Sequence, residues 1–591
     1  MVKGRFSFAV AIATGLAFFS VSQNSQATDW TGATSDMNDA ANWGGTLPTA
    51  SIGTFHETGS HSPVMASDFN TRALYLDEDA VTPYTITGAG ILSITQVGLG
   101  GSGGFISSAA DVDLTIDVAQ FNMTRSNGLV TGDYSTVPAN SGTGNLTIGS
   151  SVGGAMLFMW GGGSTSHNPQ IIASNGSPNA GTTITIYPKV DFSGVTSSSS
   201  SNNFTVAPGA TSVIKLLGGI TGGATPTGGN PSKRLHTEGA FGGKTILGDS
   251  TGWLGLAQLN LSDLEINSNN SLGEAGSDAA SYTWIFGGAS TGALRLTNDI
   301  TSGEFFYITC RTTADFPLIR NISGSNTLTG ELVDDNNIDG FTVLSSDGTA
   351  TGDLIKIEGN VTRSGVGNNS SLVLTGAGDG WISGNITQTT GIWSSLQKTG
   401  DGAWTLSGAN DYTGTTAVSA GTLIVNGTHT GGGVYTIDAN AILAGGSTNL
   451  AANLVVDGTL KPGNSIGTFT INGDVDLNGI LAVEYDSDFS TIDLLNVTGE
   501  FDLTGATFNF SDLGSSSLSL APYVFATYGT LVGNPAVEVG VPLGFVVNYA
   551  FSGNQIALVP VPEPSAIVLM GFAMLGLRSF GRRRHGWLCR G

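Results

Sequence analysis

The amino-acid sequence predicts an all-β fold made of many short strands, either a β-solenoid or another all-β architecture. Glycine accounts for 88 of the 591 residues, whereas charged residues make up only 11%. Short runs of alternating apolar and polar residues recur along the chain with Gly, Ser, Thr and Asn between them. This pattern is typical of strands joined by tight turns. The apolar fraction of 40% and the mean hydropathy of +0.14 exclude simple disorder, which requires low hydrophobicity.

The most regular stretch is Leu396–Gly427, LQKTGDGAWTLSGANDYTGTTAVSAGTLIVNG. Its apolar residues alternate with polar ones, and Gly400, Gly402, Gly408 and Gly414 interrupt the runs, so we expect tight corners there. The stretch resembles the autotransporter-associated β-strand repeat, whose strand–turn–strand order it follows almost without gaps. The resemblance implies one or two rungs of a parallel β-helix in an exported surface protein. It is specific for architecture and export rather than for chemistry.

A second stretch extends this resemblance towards the C-terminus. Leu460–Gly499 contains a PGNS turn followed by a strand and then by a D-x-L-x-V-T-G strand, and is similar to the final rungs of autotransporter-type β-helices. Only about 60 residues separate it from a C-terminal apolar run, fewer than the membrane domain of a true autotransporter needs. The resemblance therefore does not imply that the protein secretes itself through a membrane domain of its own.

Together these features predict an elongated right-handed parallel β-helix (β-solenoid) with a single C-terminal hydrophobic helix. We expect a signal peptide at 1–27, an N-terminal cap at 28–70 and a solenoid at 71–499. The solenoid has a soft boundary near 197–232, where Ser, Gly, Asn and Pro are frequent, and the autotransporter-type repeat lies at 396–427. A C-terminal β cap at 500–560 and a sorting signal at 561–585 complete the chain.

The N-terminal segment Met1–Ala27 has the composition of a secretory signal peptide. Lys3 and Arg5 precede the apolar run Phe6–Phe19, and Ser25-Gln26-Ala27 supplies small residues for cleavage after Ala27. The alternative is a retained membrane anchor, although the apolar run is short for a bilayer span.

The C-terminal segment combines a Pro-rich motif, an apolar run and a basic tail. The run is Ser565–Leu577, and the residues that carry the signal are Pro562, Glu563, Pro564, Arg582, Arg583 and Arg584. In this order they resemble the PEP-CTERM sorting signal. The resemblance implies a bacterial protein held briefly in the inner membrane by a transmembrane helix, then cut near the Pro-Glu-Pro motif by an exosortase. The alternative is a plain anchor that is never cut.

Charge and cysteine content narrow the classes of partner. The net charge is −24, and removal of the two terminal segments takes it to −30. Nucleic-acid binding is therefore not expected, because phosphate contacts need clustered Lys and Arg. With only Cys310 and Cys589, the fold does not rely on disulfides.

Near the N-terminus, Trp30 and Trp43 bracket Gly, Asn and Asp turns. We interpret this stretch as a cap that covers the open end of the first rung. The alternative is an aromatic platform for carbohydrate.

No cluster of chemistry-bearing residues predicts a catalytic, cofactor or metal site. The candidates are the His56–His61 pair, the acidic triplet 77–79, the Asp486-Ser487-Asp488 stretch, the aspartates 111, 113 and 117, and Arg295, Arg311 and Arg320 near Asp315. None has the spacing of a zinc or calcium site, and the sequence does not place two carboxylates on one face as a glycosidase requires.

Three functional hypotheses follow. The first is a non-catalytic cell-surface or extracellular-matrix protein, structural or adhesion-like, with signal peptidase, an exosortase-like enzyme and exopolysaccharide as partners. The second is a carbohydrate-active β-helix enzyme, a lyase or hydrolase, with a cleft lined by two close carboxylates or by an Asp cluster with Arg or Lys. The third is a passenger that needs a separate translocator.

Overall fold

A computed structural model gives the architecture of most of the chain. It describes residues 28–45, 47–48, 52–55, 60–71, 73–76, 79–95, 105–108, 111–124, 128–131, 144–154, 157–161, 170–173, 181–193, 203–222, 234–238, 241–273, 282–286, 292–309, 313–335, 340–366, 370–446 and 449–561. The chain divides into two compact units, Met1–Gly330 (unit 1) and Glu331–Gly591 (unit 2). Each unit is all-β in its described part, apart from a single-turn 3-10 helix at Ala40–Trp43 in unit 1.

Unit 1 contains short strands separated by turns. They are β1 (Thr28–Trp30), β2 (Ile52–Phe55), β3 (Val64–Met65), β4 (Phe69–Thr71), β5 (Ala73–Leu76), β6 (Tyr84–Thr95), β7 (Phe105–Ser108), β8 (Leu114–Thr124), β9 (Gly128–Thr131), β10 (Leu146–Ile148), β11 (Leu157–Gly161), β12 (Gln170–Ala173), β13 (Thr183–Ile186), β14 (Val190–Asp191), β15 (Asn203–Pro208), β16 (Val213–Leu216), β17 (Ile220–Thr221), β18 (Arg234–Thr237), β19 (Lys244–Leu247), β20 (Leu256–Leu259), β21 (Asp263–Ile266), β22 (Thr283–Ile285), β23 (Leu294–Leu296), β24 (Thr301–Ser302), β25 (Phe306–Ile308), β26 (Ile319–Asn321) and β27 (Ser325–Leu328).

These strands form parallel sheets in which successive rungs stack. Sheet 1 runs β1-β2-β5-β7-β9-β12-β15-β18-β20-β22-β25. Sheet 2 contains β6, β8, β10, β13, β16, β19, β21, β23 and β26 among others, and β24 pairs with β27 in a third. Each pairing joins a strand to the corresponding strand of the next rung, as Thr283↔Phe306 does in sheet 1. Parallel neighbours connected by long crossovers are what a stacked β-helix requires.

Unit 1 begins with a buried aromatic cluster. Trp30 and Trp43 are each 1% exposed and their ring centroids lie 4.9 Å apart, with Phe55 and Phe69 packed against them. The two indole N–H groups donate to the backbone carbonyls of Ser60 and Met37. Neither indole is therefore open to a sugar, and the burial fits the cap interpretation.

Unit 2 repeats the pattern with its own strands. They are β28 (Leu332–Asp334), β29 (Gly340–Ser346), β30 (Leu354–Ile357), β31 (Val361–Arg363), β32 (Ser370–Thr375), β33 (Asp379–Ile382), β34 (Ile386–Gln388), β35 (Trp393–Lys398), β36 (Ala403–Leu406), β37 (Ala409–Asn410), β38 (Thr415–Val418), β39 (Thr422–Val425), β40 (Thr428–His429), β41 (Tyr435–Ile437), β42 (Ile442–Gly445), β43 (Leu454–Val456), β44 (Thr459–Pro462), β45 (Thr468–Ile471), β46 (Val475–Leu477), β47 (Ile480–Asp486), β48 (Thr491–Ile492), β49 (Leu494–Val497), β50 (Glu500–Asp502), β51 (Thr507–Asp512), β52 (Tyr523–Thr527), β53 (Thr530–Val532), β54 (Val537–Val539), β55 (Phe545–Phe551) and β56 (Gln555–Pro560).

Two long parallel sheets dominate unit 2. One runs β29-β32-β35-β38-β41-β43-β46-β50-β53, and the other β30-β33-β36-β39-β42-β44-β47-β51-β54. Within the repeat, Ser395–Lys398 pairs with Thr415–Val418, and Ala403–Leu406 pairs with Thr422–Val425. The repeat therefore contributes strands to two successive rungs, as its strand–turn–strand pattern predicts. At the C-terminal end, β55 and β56 form an antiparallel hairpin that pairs with β52.

The apolar alternation correctly identifies the side chains that fill the core of the repeat. Leu396, Trp404, Leu406, Leu423 and Val425 are each at most 1% exposed, while the residues between them face outwards. Alternate side chains of a strand point to opposite sides of the sheet, so the sequence pattern fixes the inward set.

Glycines at the corners are needed for two different reasons. Gly400 has a φ of 73°, in the left-handed region that favours glycine. Gly402, Gly408 and Gly414 do not have a positive φ. A Cβ at these positions would lie 2.0–2.2 Å from a backbone oxygen of the preceding rung. Among these four corners, a positive φ therefore requires glycine at Gly400, whereas at the other three the close stacking of rungs excludes a Cβ atom.

The parallel, all-β architecture is as predicted. The right-handed sense and the elongation stay predictions, as do the domain boundaries. The C-terminal hydrophobic run lies outside the described residues. Within the part of the chain that is described, no helix is long and apolar enough to cross a membrane.

Candidate functional site

Aromatic side chains are concentrated on the outer surface of sheet 1 in unit 1. Thr283 and Ile285 of β22 point inwards and are buried, so the residues that alternate with them face outwards. Stacking of β18, β20, β22 and β25 brings outward residues from four rungs together. We call this surface the aromatic face; it consists of Arg234, Gln258, Tyr282, Trp284, Phe286 and Tyr307.

Trp284 lies at the centre of the aromatic face. It is in register with Gln258 on one side and Tyr307 on the other. Its indole N–H donates to the Thr309 hydroxyl at 2.6 Å, and its ring lies 4.8 Å from that of Phe286. Phe286 is 40% exposed. A half-buried indole fixed in this way forms a rigid apolar platform with a polar edge.

The second aromatic pair and a cation flank this platform. The rings of Tyr282 and Tyr307 lie 5.2 Å apart. The guanidinium carbon of Arg234 lies 5.4 Å from the centroid of Trp284, within the range of a cation–π contact. Its Nη1 donates to the side-chain oxygen of Gln258 at 2.9 Å. The face therefore presents a guanidinium group beside aromatic rings, and the buried Gln258 side chain, 6% exposed, holds that group in place.

His236 borders the aromatic face two residues after Arg234, in register with Gln258. Its Nδ1 lies 3.3 Å from a carboxylate oxygen of Glu238, and its Nε2 is buried without a hydrogen-bond partner. Burial lowers the pKa of His236; Glu238 opposes this effect and Arg234 adds to it. Burial likewise lowers the pKa of Arg234, against the effect of Tyr282.

This arrangement suits a hydroxylated ligand. Apolar ring faces pack against the C–H faces of a sugar, while the half-buried Arg234 guanidinium donates hydrogen bonds to its hydroxyls. Sequence reasoning did not identify these residues. The available signal was the run Tyr282-Thr283-Trp284-Ile285-Phe286, which places aromatic residues at alternate positions of a strand and hence on one face.

Carboxylates with basic partners, the feature expected of an enzyme, occur on the outer surface of sheet 2. Lys244 Nζ lies 2.9 Å from Glu265, and Arg295 lies 3.2 Å from Asp263 and 3.5 Å from Glu265. Asp263 also accepts the Ala293 backbone N–H. Both carboxylates are thus held in ion pairs between neighbouring strands, an arrangement that stabilises a sheet surface.

The polar residues of the recognised repeats fasten turns to neighbouring rungs. The Lys398 ammonium donates to the carbonyls of Thr399, Gly400 and Ala420 at 2.8–3.0 Å. Burial lowers its pKa to about 8, against the effects of Asp401 and Asp379. The Lys-Thr-Gly turn of one rung is therefore attached to the next rung.

Asp493, the first residue of the D-x-L-x-V-T-G strand, has a comparable structural role. Its two carboxylate oxygens accept the backbone N–H groups of Gly467 and Glu484, which joins the segment after the PGNS turn to β47. Burial raises the pKa of Asp493 to about 7; these two hydrogen bonds oppose the shift. Glu484 itself pairs with Lys461 at 2.8 Å.

Buried polar groups of unit 2 find partners inside the core. Arg363 Nη1 donates to Asp334 Oδ1 at 2.9 Å, and Thr342 donates to the other oxygen of the same carboxylate. Tyr435 hydrogen-bonds to His429 Nδ1 at 3.0 Å and to the Tyr412 hydroxyl at 3.1 Å. Such networks contribute to the specificity of core packing.

The remaining candidates from the sequence do not assemble into a site. His61 packs on Tyr84, and His56 lies outside the described residues. Asp486 accepts the backbone N–H groups of Asp488 and Phe489, as a turn residue does. Arg295 is in register with Arg320 but pairs with Asp263 and Glu265. Among the described residues, no three His, Cys, Asp or Glu side chains are grouped to hold a metal.

The predicted processing residues cannot be placed. Ala27, Pro562, Glu563, Pro564, Arg582, Arg583 and Arg584 all lie outside the described residues.

Comparison with known families identifies one segment of the chain. A family model described as the passenger-associated-transport-repeat matches residues 396–425, the stretch that forms β35 to β39. This supports the autotransporter-associated repeat and suggests a passenger-type extracellular domain. No curated protein and no solved structure gave a match.

Proposed function

We propose that the protein is a non-catalytic component of the bacterial cell surface or extracellular matrix that holds polysaccharide on the aromatic face of unit 1. The observation that carries the binding role is the platform centred on Trp284, with its aromatic neighbours and the Arg234 guanidinium over its ring. The passenger-type repeat at 396–425 supports an extracellular location.

In this proposal the terminal segments direct export and sorting. Signal peptidase cuts after Ala27, the run Ser565–Leu577 crosses the inner membrane as a helix, and an exosortase-type enzyme cuts near Pro562-Glu563-Pro564. The rungs form an elongated right-handed β-helix that displays the aromatic face. The charge and order of these segments in the sequence support the assignment.

Intact-mass analysis of cell fractions tests the sorting. We expect a species that starts at Thr28 and ends near Pro562 in the envelope or matrix. A species that keeps Arg582–Arg584 in the inner membrane would mean that the tail is a plain anchor.

Affinity electrophoresis tests the binding. The gels contain the extracellular polysaccharide of the source bacterium. The wild-type chain should be retarded, Trp284→Ala should migrate faster through the same gel, and Thr185→Ala, an outward residue of sheet 2, should behave as wild type. Retardation that is unchanged by Trp284→Ala would exclude the aromatic face as the binding surface.

The alternative is a carbohydrate-active enzyme that uses the ion-paired carboxylates of sheet 2. It predicts new reducing ends or unsaturated sugars after incubation with the same polysaccharide, and loss of these products in Glu265→Gln. Intact polysaccharide after prolonged incubation would leave the binding role as the better account.

A further inference from the structure

Unit 2 carries a second outward tryptophan, Trp381, at the centre of a separate polar surface. It belongs to β33 and lies between Lys356 of β30 and Thr405 of β36 in the register of one parallel sheet. Its neighbours in β33, Gly380 and Ile382, are buried, whereas Trp381 is half-buried on the outer side.

The surroundings of Trp381 match those of Trp284 in construction. The indole N–H of Trp381 donates to the Ser407 hydroxyl at 2.7 Å, as that of Trp284 donates to Thr309. A cation lies over each ring, Lys356 Nζ at 4.8 Å from the Trp381 centroid and Arg234 at 5.4 Å from that of Trp284. In each case the hydroxyl partner comes from the next rung and the cation from an earlier one.

The other tryptophans whose side chains are described are unavailable to a ligand. The side chains of Trp30, Trp43, Trp253, Trp393 and Trp404 are at most 2% exposed. Trp284 and Trp381 are therefore the outward-facing indoles of the described side chains, and each unit has one.

The groups around Trp381 favour a neutral, hydroxyl-rich partner over an apolar protein surface. Lys356 is paired with Glu358 at 2.5 Å, so the cation is compensated locally. Half-buried hydroxyls of Ser383, Thr405 and Ser407 surround the indole with groups that both donate and accept. Ser407 already accepts the indole N–H, and Ser383 donates to the Ile357 carbonyl at 3.4 Å. Each hydroxyl keeps capacity for a further hydrogen bond, which sugar hydroxyls can use and an apolar partner cannot.

We infer that Trp381, with Lys356, Glu358 and Ser407, forms a second polysaccharide-binding platform, so that one chain binds glycan at two sites and cross-links polysaccharide strands. The inference rests on the proposed function of the aromatic face. Two linked sites bind a long polymer more tightly than either does alone, by about 10²-fold or more where geometry allows both to engage.

Titration calorimetry counts the binding sites on the full chain. The ligand is a hexasaccharide-sized fragment of the source bacterium's extracellular polysaccharide. We expect two sites in the wild type, one in Trp381→Ala, one in Trp284→Ala and none in the double variant. Trp381→Phe keeps an aromatic platform and should keep two sites, which separates binding from folding. Thr436→Ala, an exposed residue of another sheet in unit 2, is the matched control. Wild-type protein should also raise the light scattering of the intact polysaccharide, and each single variant should lose this effect.

The outcomes distinguish the two claims. One site in the wild type that is lost in Trp284→Ala and retained in Trp381→Ala would overturn the second platform and leave the proposed function standing. No binding by the wild type would overturn both. One site lost only in Trp381→Ala would refute the aromatic face while supporting the platform of unit 2.

Discussion

Glu304 of unit 1 is a buried carboxyl group whose replacement tests the electrostatics of the core. Its side chain is 5% exposed, and one oxygen accepts the Thr283 hydroxyl at 2.9 Å. Burial raises the pKa of Glu304 from 4.5 to about 8, against the effect of the hydrogen bonds from Thr283. The folded chain therefore holds this proton at neutral pH, while the unfolded chain releases it.

The sign of the pH dependence follows from this difference. The contribution of Glu304 to stability is fully present below pH 4.5 and is lost as the pH rises to about 8. Each pKa unit between the folded and unfolded states corresponds to about 1.4 kcal/mol. On that scale, ionisation of Glu304 inside the fold lowers the free energy of unfolding of unit 1 by on the order of 5 kcal/mol at pH 9 relative to pH 4.

Glu304→Gln should remove this pH dependence, because the amide is neutral throughout and its oxygen can still accept the Thr283 hydroxyl. The measurement is urea-dependent pulse proteolysis at pH 5 and pH 9, with the fragments assigned to unit 1 or unit 2 by mass. We expect unit 1 of the wild type to lose several kcal/mol more than unit 1 of the variant between the two pH values. Glu500→Gln, an exposed position of unit 2, controls for the same chemical change. An equal pH dependence in wild type and Glu304→Gln would refute the reasoning.

Three further predictions concern unit 2. Arg363→Met leaves the Asp334 carboxylate buried without its ion-pair partner and should lower the free energy of unfolding, measured by urea denaturation, by about 3–5 kcal/mol. Adding Asp334→Leu should recover part of the loss, and the absence of recovery would contradict the pairing argument. Burial lowers the pKa of His429, so unit 2 should lose stability as the pH falls below about 6.5, where the unfolded chain takes up the proton. The difference in melting temperature between pH 7.5 and pH 5 should be smaller in His429→Gln than in the wild type. Gly402→Ala places a Cβ 2.0 Å from the Gly378 carbonyl oxygen and should lower stability by about 1–3 kcal/mol; an unchanged melting temperature would show that the rungs separate readily.

The local pattern was sufficient to predict the strands and inward side chains of the repeat. Trp404 and Leu423 lie in short alternating runs, and both are buried in register with each other. Gly400 and Gly408 both interrupt the alternating runs, but a positive φ requires glycine at Gly400, whereas rung stacking requires it at Gly408.

The two outward tryptophans were not predictable in the same way. Trp284 and Trp381 occur in ordinary alternating runs, and their surroundings come from strands one or more rungs away. The connections between rungs vary in length, so the sequence does not show that Arg234 lies over Trp284 or that Ser407 accepts from Trp381.

The sequence by itself therefore determined the all-β class and the inward face of the strands of the repeat, because alternation and turn residues act over a few neighbouring positions. The parallel pairing of those strands was implied by the resemblance of Leu396–Gly427 to the autotransporter-associated repeat. Only the tertiary structure decided which outward residues share a surface and which buried charges find partners. Those contacts depend on the register between rungs, and register is set by the stacking of the whole sheet rather than by any one segment.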